Sequence, residues 1–376
     1  MEKNETHFMK ESSSKPEQQN LAFIDALRGL AILMVIITHV SPATPGVSGL
    51  VSNLCSYGRM GVQLFFVLSA FTLCLTFAAR MNEQYALRKF YIRRYLRIAP
   101  MYYLGILFYT GLLIADRGLE SVNFISAAWH FLLLHGLNMA AFNSVVPGGW
   151  SIGVEILFYL IFPFIFRQVY GSQRAILATL IVSVLISSSV YFYLVFFAKV
   201  EVNAYSLGYW NFLNQLPVFI VGFLLYLHFF NTETRVNTFF LCMIFLGATA
   251  VSLLFYMSKL IFSTVLIPLA SAISFYALAL LFSRYAFLAN KPLQEIGKVS
   301  FSMYLIHFIV VAKVANLQLN FFKPDLQLIV NYVIVSLITY LIARLTYRYI
   351  ELKGIFLAKR ITQKYFVQKP APTLSF

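Results

Sequence analysis

The sequence has few charged residues, since Asp, Glu, Lys and Arg make up only 11% of its 376 positions. A soluble domain usually has about a quarter of its residues charged, so a water-facing surface is excluded. Apolar residues account for 60% of the chain. They occur in blocks of about twenty, the length that a helix needs to cross a bilayer. We therefore predict an all-α polytopic membrane protein.

Cysteine is also scarce. Cys55, Cys74 and Cys242 are widely spaced and form no CxxC pair, so neither a disulfide framework nor a zinc site is predicted. No histidine cluster has metal-ligand spacing, and we expect no metal. Acidic residues are outnumbered by basic ones, 14 against 29. The positions of the basic residues follow membrane topology, so no nucleic-acid partner is expected.

Hydropathy predicts about ten transmembrane helices. The expected spans are 21–41, 60–79, 98–115, 148–166, 175–198, 208–230, 237–257, 260–282, 298–315 and 326–347. A shorter apolar stretch, 122–138, is predicted to be re-entrant or interfacial, because it is too short to span.

Most Lys and Arg residues lie in the two termini and in alternate loops. The positive-inside rule therefore places the N- and C-termini in the cytoplasm. On this topology, residues 1–20 form a polar cytoplasmic tail and residues 21–351 form the transmembrane domain. Residues 352–376 form a basic tail that we expect to lie on the membrane surface.

The first span carries ionisable groups at depths where each costs several kcal/mol unless paired or hydrated. Asp25 and Arg28 are three residues apart and can pair on a helix. Arg28 and His39 are eleven residues apart, which places them on one helical face about 16 Å apart. The alternative is that Arg28 and His39 extend to the headgroups at opposite ends of the span. The shared face favours a functional site.

The fourth span has a polar stripe, because Ser151, Glu155 and Tyr159 recur at intervals of four residues. Glu155 is expected near the depth of His39. A carboxylate beside an imidazole orients the ring and raises its basicity, as general-base chemistry requires. The alternative is a structural hydrogen bond between two helices.

A basic segment, Arg88 to Arg97, lies between the second and third predicted spans. Part of its charge serves topology, but Arg93 and Arg97 are four residues apart and form a double-guanidinium face suited to phosphate. We predict that a phosphate-bearing cosubstrate docks there on the cytoplasmic side.

Four stretches together resemble the membrane-bound acyltransferase 3 family. They are Arg28-x10-His39 preceded by Asp25, residues 58–69 (GRMGVQLFFVLS), residues 93–103 (RRYLRIAPMYY) and residues 150–159 (WSIGVEILFY). Residues 215–222 and 296–307 are weaker matches. Each motif alone is loose, but their order and spacing together are specific.

The resemblance implies a bacterial inner-membrane O-acyltransferase that moves an acyl group, usually acetyl, from an acyl-CoA to a hydroxyl of a carbohydrate or glycolipid. Acetyl-CoA phosphates would dock at Arg93, Arg94 and Arg97, and Ser69 would assist binding. The pantetheine arm would then pass Arg28 towards His39, the expected general base, with Glu155 assisting. The remaining expected cavity residues are Trp150, Ser151, Tyr159, Tyr304 and His307. A covalent acyl-enzyme stays open as an alternative.

Two other classes of protein fit parts of the sequence. A proton-coupled secondary transporter could use the buried groups Asp25, His39 and Glu155. However, transporters tend to have repeated halves, whereas the polar groups here concentrate in the first four spans. A receptor or scaffold is the second alternative, and it predicts that Arg28, His39 and Glu155 do not share a cavity. The sequence leaves the acceptor and the oligomeric state open.

Overall fold

The structure is a computed structural model that describes residues 21–200, 207–230, 236–258, 262–317 and 321–366. Within these ranges the chain is helical and contains no strand. The helices are α1 (Ala22–Val40), α2 (Gly49–Tyr57), α3 (Gly61–Ala78), α4 (Ala86–Arg117), α5 (Phe124–Phe131), α6 (Gly149–Val169), α7 (Gln173–Phe192), α8 (Leu207–Trp210), α9 (Phe212–Phe230), α10 (Thr238–Ser258), α11 (Ser263–Arg284), α12 (Lys291–Lys298), α13 (Ser300–Asn316), α14 (Pro324–Thr346) and α15 (Leu352–Tyr365).

Nine helical segments of the described chain are long and apolar enough to cross a membrane. The pair α12 and α13 adds a tenth if it is counted as one span, although the two helices meet at a bend of 80°. The prediction of an all-α polytopic membrane protein with about ten spans is therefore confirmed.

Two spans extend further than hydropathy indicated. The helix α4 has 32 residues and includes the whole basic segment, so these arginines lie on a helix that continues into the bundle. At the other end of the chain, α14 continues through a π-helical turn, Tyr347–Glu351, into α15. In both places charged residues lower the local hydropathy although the helix continues, so the predicted span ends too early or begins too late. The stretch 122–138 contains the short helix α5 and a 3₁₀ turn, His135–Leu137.

The first helix lies at the centre of the site-bearing part of the bundle, where it contacts α3, α12, α13 and α14. Its contact with α12 is very close, because a Cβ atom on Gly297 would overlap the backbone carbonyl of Asp25. Only glycine permits this approach of the two backbones. The contact fixes the height of α1, and therefore of Arg28 and His39, relative to α13.

Aromatic packing joins the helices that form one wall of the site. Phe158 on α6 stacks on Phe219 on α9 with ring centroids 4.0 Å apart, and Phe66 on α3 stacks on Phe219 at 4.6 Å. All three rings are buried. Large buried rings supply much of the packing energy of a core, so this seam holds α3 and α6 in a defined register.

Candidate active site

A cavity of about 740 Å³, including its open mouth, lies among α1, α3, α4, α6 and α13. The lining residues are Arg28, Val62, Phe65, Phe66, Ser69, Thr72, Arg94, Arg97, Ile98, Ser151, Ile152, Glu155, Tyr159, Ser300, Phe301 and Tyr304.

One end of the cavity is formed by Arg28, Arg94 and Arg97, and we call it the arginine end. Arg97 is exposed, so the cavity opens here. Arg28 donates a hydrogen bond to Thr72 Oγ1 at 3.3 Å and lies 3.8 Å from Asp25. Arg94 donates to Thr76 Oγ1 at 2.9 Å. These contacts hold the guanidinium groups beside the cavity.

Glu155 is the sole carboxylate among the residues that line the cavity. It accepts hydrogen bonds from Ser69 Oγ at 2.5 Å and from Tyr159 Oη at 2.6 Å. It also lies close enough to Arg28 and Arg94 for favourable charge–charge interaction. With three arginines against one carboxylate, the lining keeps an excess of positive charge that suits an anionic ligand.

Tyr304 lines the opposite end of the cavity, with His307 and His39 next to it, and we call this group the histidine end. The ring centroids of His39 and His307 are 5.2 Å apart, and Phe308 lies 4.5 Å from His39. His307 is fully buried. Its Nδ1 donates to the backbone carbonyl of Tyr304 at 2.7 Å, since a carbonyl can only accept.

Tyr304 lines the cavity, and its ring contacts His307, which in turn contacts His39. Its hydroxyl donates to the carbonyl of Gly148 at 3.1 Å and accepts from Ser151 Oγ at 2.8 Å. Gly148 has a φ of 74°, a left-handed conformation that glycine adopts without strain. This turn directs its carbonyl to Tyr304 at the start of α6, and it thereby joins α6 to α13 at the histidine end.

The two ends lie at opposite levels of the bundle. Gly58 and Gly61, at the start of α3, pack against Met34 and Ala31 of α1, whereas Thr72 of α3 meets Arg28. Val62 therefore lies towards His39, and the lining from Val62 to Thr72 covers about 15 Å of helix. Because α1 is unbroken from Ala22 to Val40, Arg28 and His39 share one helical face, as the spacing indicated.

The structure contradicts several details of the predicted site. Glu155 does not pair with His39, because its hydrogen bonds go to Ser69 and Tyr159 at the level of the arginine end. His39 instead neighbours His307. Arg93 does not line the cavity. Arg93 lies on another face of α4, where it interacts with Arg80 and Glu83 from the preceding turn. The three arginines that line the cavity are Arg28, Arg94 and Arg97.

Trp150 is a supporting residue and does not line the cavity. Its indole packs on Trp210 with centroids 5.9 Å apart and meets Phe66 edge-on at 6.3 Å. Ser69, Ser151, Tyr159 and Tyr304 line the cavity. His39 and His307 lie immediately beyond Tyr304, so the expected residues form two adjoining groups.

A cluster of Tyr102, His130 and His135 is not apparent from the sequence, in which residues 122–138 are predicted to be re-entrant or interfacial. All three side chains are fully buried. Tyr102 Oη lies 2.8 Å from His130 Nδ1, and His135 Nε2 donates to the carbonyl of Gly149 at 3.0 Å. Burial and the adjacent His130 lower the pKa of His135 to about 3. The cluster holds the first residue of α6 in place.

Comparison with known proteins agrees with this arrangement. The profile of the acyltransferase 3 family, described as "Acyltransferase domain", matches residues 21–348. The chain therefore belongs to this family and is a membrane acyltransferase. Arg28 and Glu155 line one cavity whereas His39 lies beside it, so family membership, and not the cavity lining, favours the enzyme over the transporter and the scaffold.

A curated relative is the peptidoglycan O-acetyltransferase OatA of Listeria monocytogenes, which is 29% identical over 155 residues. The match covers 37% of this chain and 23% of the relative, so this chain accounts for less than a quarter of that protein's length. No solved structure matches the chain.

Proposed function

We propose that this acyltransferase transfers an acyl group, usually acetyl, from acyl-CoA to a hydroxyl of a cell-envelope carbohydrate, with His39 as general base. The observation that carries the proposal is one cavity lined at one end by Arg28, Arg94 and Arg97 and at the other by Tyr304, whose neighbour His307 contacts His39. The donor would enter at the arginine end and the acceptor at the histidine end.

The lining supports a donor such as coenzyme A. Guanidinium groups bind phosphate through paired hydrogen bonds, and three of them meet at the mouth. Further inward the wall becomes apolar, with Phe65, Ile152 and Phe301. An acyl-CoA changes from charged to uncharged in the same order, because its phosphates are followed by a long uncharged arm that ends in the thioester.

The reaction uses His39 twice. Its neutral imidazole takes the proton of the acceptor hydroxyl while the oxygen attacks the thioester carbonyl. The new C–O bond forms and the C–S bond breaks, and the leaving thiolate takes the proton back from His39. The products are an O-acyl ester and free coenzyme A. Positioned general bases of this kind contribute roughly 10²–10⁴-fold to rate.

The carbohydrate acceptor is supported by the relative, whose name describes an O-acetyltransferase of peptidoglycan. The positive-inside pattern supports a multi-pass protein of the bacterial cytoplasmic membrane with both termini inside. In that orientation the arginine end faces the cytoplasm, where acyl-CoA is made, and the histidine end faces the envelope.

The test uses purified full-length protein in lipid nanodiscs with labelled acetyl-CoA and isolated envelope glycan fractions. We expect free coenzyme A to be released only when a glycan is present, and mass spectrometry to find a new ester on that glycan. Coenzyme A release without an ester on any fraction would contradict the proposal, as would the absence of both.

A further inference from the structure

The histidine end contains a second imidazole that the proposed chemistry has not used. His307 is fully buried, and its Nε2 atom has no hydrogen-bond partner among the described residues. Buried polar atoms are usually bonded, so an orphaned nitrogen needs an explanation. The Nδ1 atom of His135 also lacks a partner, so the bare nitrogen alone assigns no role, and the position of His307 beside His39 carries the argument. In His130 both ring nitrogens have partners. That histidine is structural.

The tautomer of His307 is determined by its environment. Its Nδ1 carries the hydrogen, because that atom donates to the carbonyl of Tyr304. In the neutral ring Nε2 must then be a bare lone pair, which can only accept a hydrogen bond.

The aromatic neighbours of His307 include one ring that can still donate a hydrogen bond. They are Phe308, Tyr304 and His39. Phe308 is apolar, and the hydroxyl of Tyr304 already bonds to Gly148 and Ser151. His39 forms no hydrogen bond with any other residue that the structure describes. At a centroid separation of 5.2 Å, a rotation of one ring can bring two nitrogens within hydrogen-bonding distance.

We propose that His307 is a positioning residue for His39, accepting a hydrogen bond at Nε2 from one ring N–H of His39. The other nitrogen of His39 is then the lone pair that takes the proton of the acceptor hydroxyl. The chain of bonds runs from the Tyr304 carbonyl through His307 to His39. The same logic operates where a base is oriented by a third group, with an imidazole here in the place of a carboxylate.

This inference rests on the proposed role of His39 and adds one step to it. When His39 becomes an imidazolium, the Nε2 lone pair of His307 stabilises the new charge within a buried site. The proton then passes to the leaving thiolate, and His307 ends in its starting state. No other reactant is required.

The test compares two replacements of His307 with a matched replacement elsewhere. His307→Phe keeps a planar ring but removes the acceptor, whereas His307→Gln keeps an acceptor oxygen. His228→Phe is the control, because His228 also lies in a span and bonds to Tyr276 Oη at 2.8 Å but has no ring contact with His39 or with the cavity residue Tyr304. The readouts are kcat, KM for acetyl-CoA and the elution profile of purified protein in nanodiscs.

We expect H307F to lower kcat about 100-fold with an unchanged KM for acetyl-CoA, and H307Q to recover at least about ten-fold of that loss. H228F should behave as wild type. If H307F does not yield a folded protein, His307→Met, which is apolar and flexible, replaces it. Activity of the folded variant within two-fold of wild type, or equal losses in the Phe (or Met) and Gln variants, would overturn the inference.

The failure of this inference is distinguishable from failure of the proposed function. If His39→Phe abolishes transfer while H307F matches H228F, His307 is only a packing residue and the role of His39 stands. If His39→Phe is fully active, the general base has been misassigned and the inference about His307 falls with it.

Discussion

The two ends of the cavity are formed by different kinds of side chain. The arginine end is open and carries permanent charge on Arg28, Arg94 and Arg97. The histidine end contains the imidazole rings of His39 and His307, and His307 donates a directional hydrogen bond to the Tyr304 carbonyl. Permanent charge attracts an anion without demanding one geometry, whereas proton transfer needs defined atoms at short range. The difference suggests binding at one end and chemistry at the other.

Replacing His39 tests the chemical end most strongly. His39→Phe preserves a planar ring in contact with His307 and Phe308 but removes the base. We expect kcat for acyl transfer to fall about 10³-fold, within the range for a lost general base. Coenzyme A affinity, measured by titration calorimetry, should stay within two-fold of wild type. A large loss of affinity would show that the two ends do not act separately.

Replacing Arg94 tests the binding end. Arg94→Gln removes a guanidinium from the cavity wall, and we expect coenzyme A affinity to fall about 10- to 100-fold, the usual loss for one charged hydrogen-bonding partner. The matched control is Arg93→Gln on the same helix, which should bind normally because Arg93 does not line the cavity. Equal losses in the two variants would mean that the positive charge acts only at long range.

We expect acid to destabilise the cluster of Tyr102, His130 and His135, which holds the start of α6 beside the histidine end. The unfolded imidazole of His135 binds a proton near pH 6.5, whereas burial lowers its folded pKa to about 3. Between these values the unfolded state holds more protons, so stability falls as pH drops from about 6.5. From pH 7 to pH 5 the free energy of unfolding should fall by about 2 kcal/mol. Thermal unfolding at the two pH values measures this loss.

The matched variant for this effect is His135→Gln, which keeps a donor for the carbonyl of Gly149 but does not titrate. Its unfolding temperature should depend less on pH than that of wild type. If the unfolding temperatures of wild type and variant fall by the same amount between pH 7 and pH 5, the acid sensitivity comes from other groups and not from the cluster with Tyr102.

Packing beneath the arginine end gives the smallest effect. Gly297→Ala places a methyl group against the carbonyl of Asp25, so α1 and α12 must separate. We expect the unfolding free energy to fall by about 1–2 kcal/mol, as for other overpacked sites. Gly247→Ala is the control in α10, where an added Cβ meets nothing within 4 Å. Loss of stability in both variants would point to backbone effects alone.

The fold and the main site residues could be predicted because their signals are local. Hydropathy indicates spans, and the eleven-residue spacing of Arg28 and His39 places them on one face of an unbroken helix. The exclusion of Arg93 could not be predicted, since the rotation of α4 is set by packing against helices distant in sequence, chiefly α15. The contact between His39 and His307 could not be predicted either, because it depends on which helices meet at the level of His39. His307 was expected near the cavity, but nothing local joins it to His39.

The central claim is that the donor lies along the cavity with its phosphates at the arginine end. The most direct measurement is a cryo-electron microscopy structure of the His39→Phe variant with acetyl-CoA, because loss of the base should leave the thioester intact. We predict phosphates within hydrogen-bonding distance of Arg94 and Arg97, and the thioester beside Tyr304. Donor density outside this cavity, or with the thioester at the arginine end, would contradict the account.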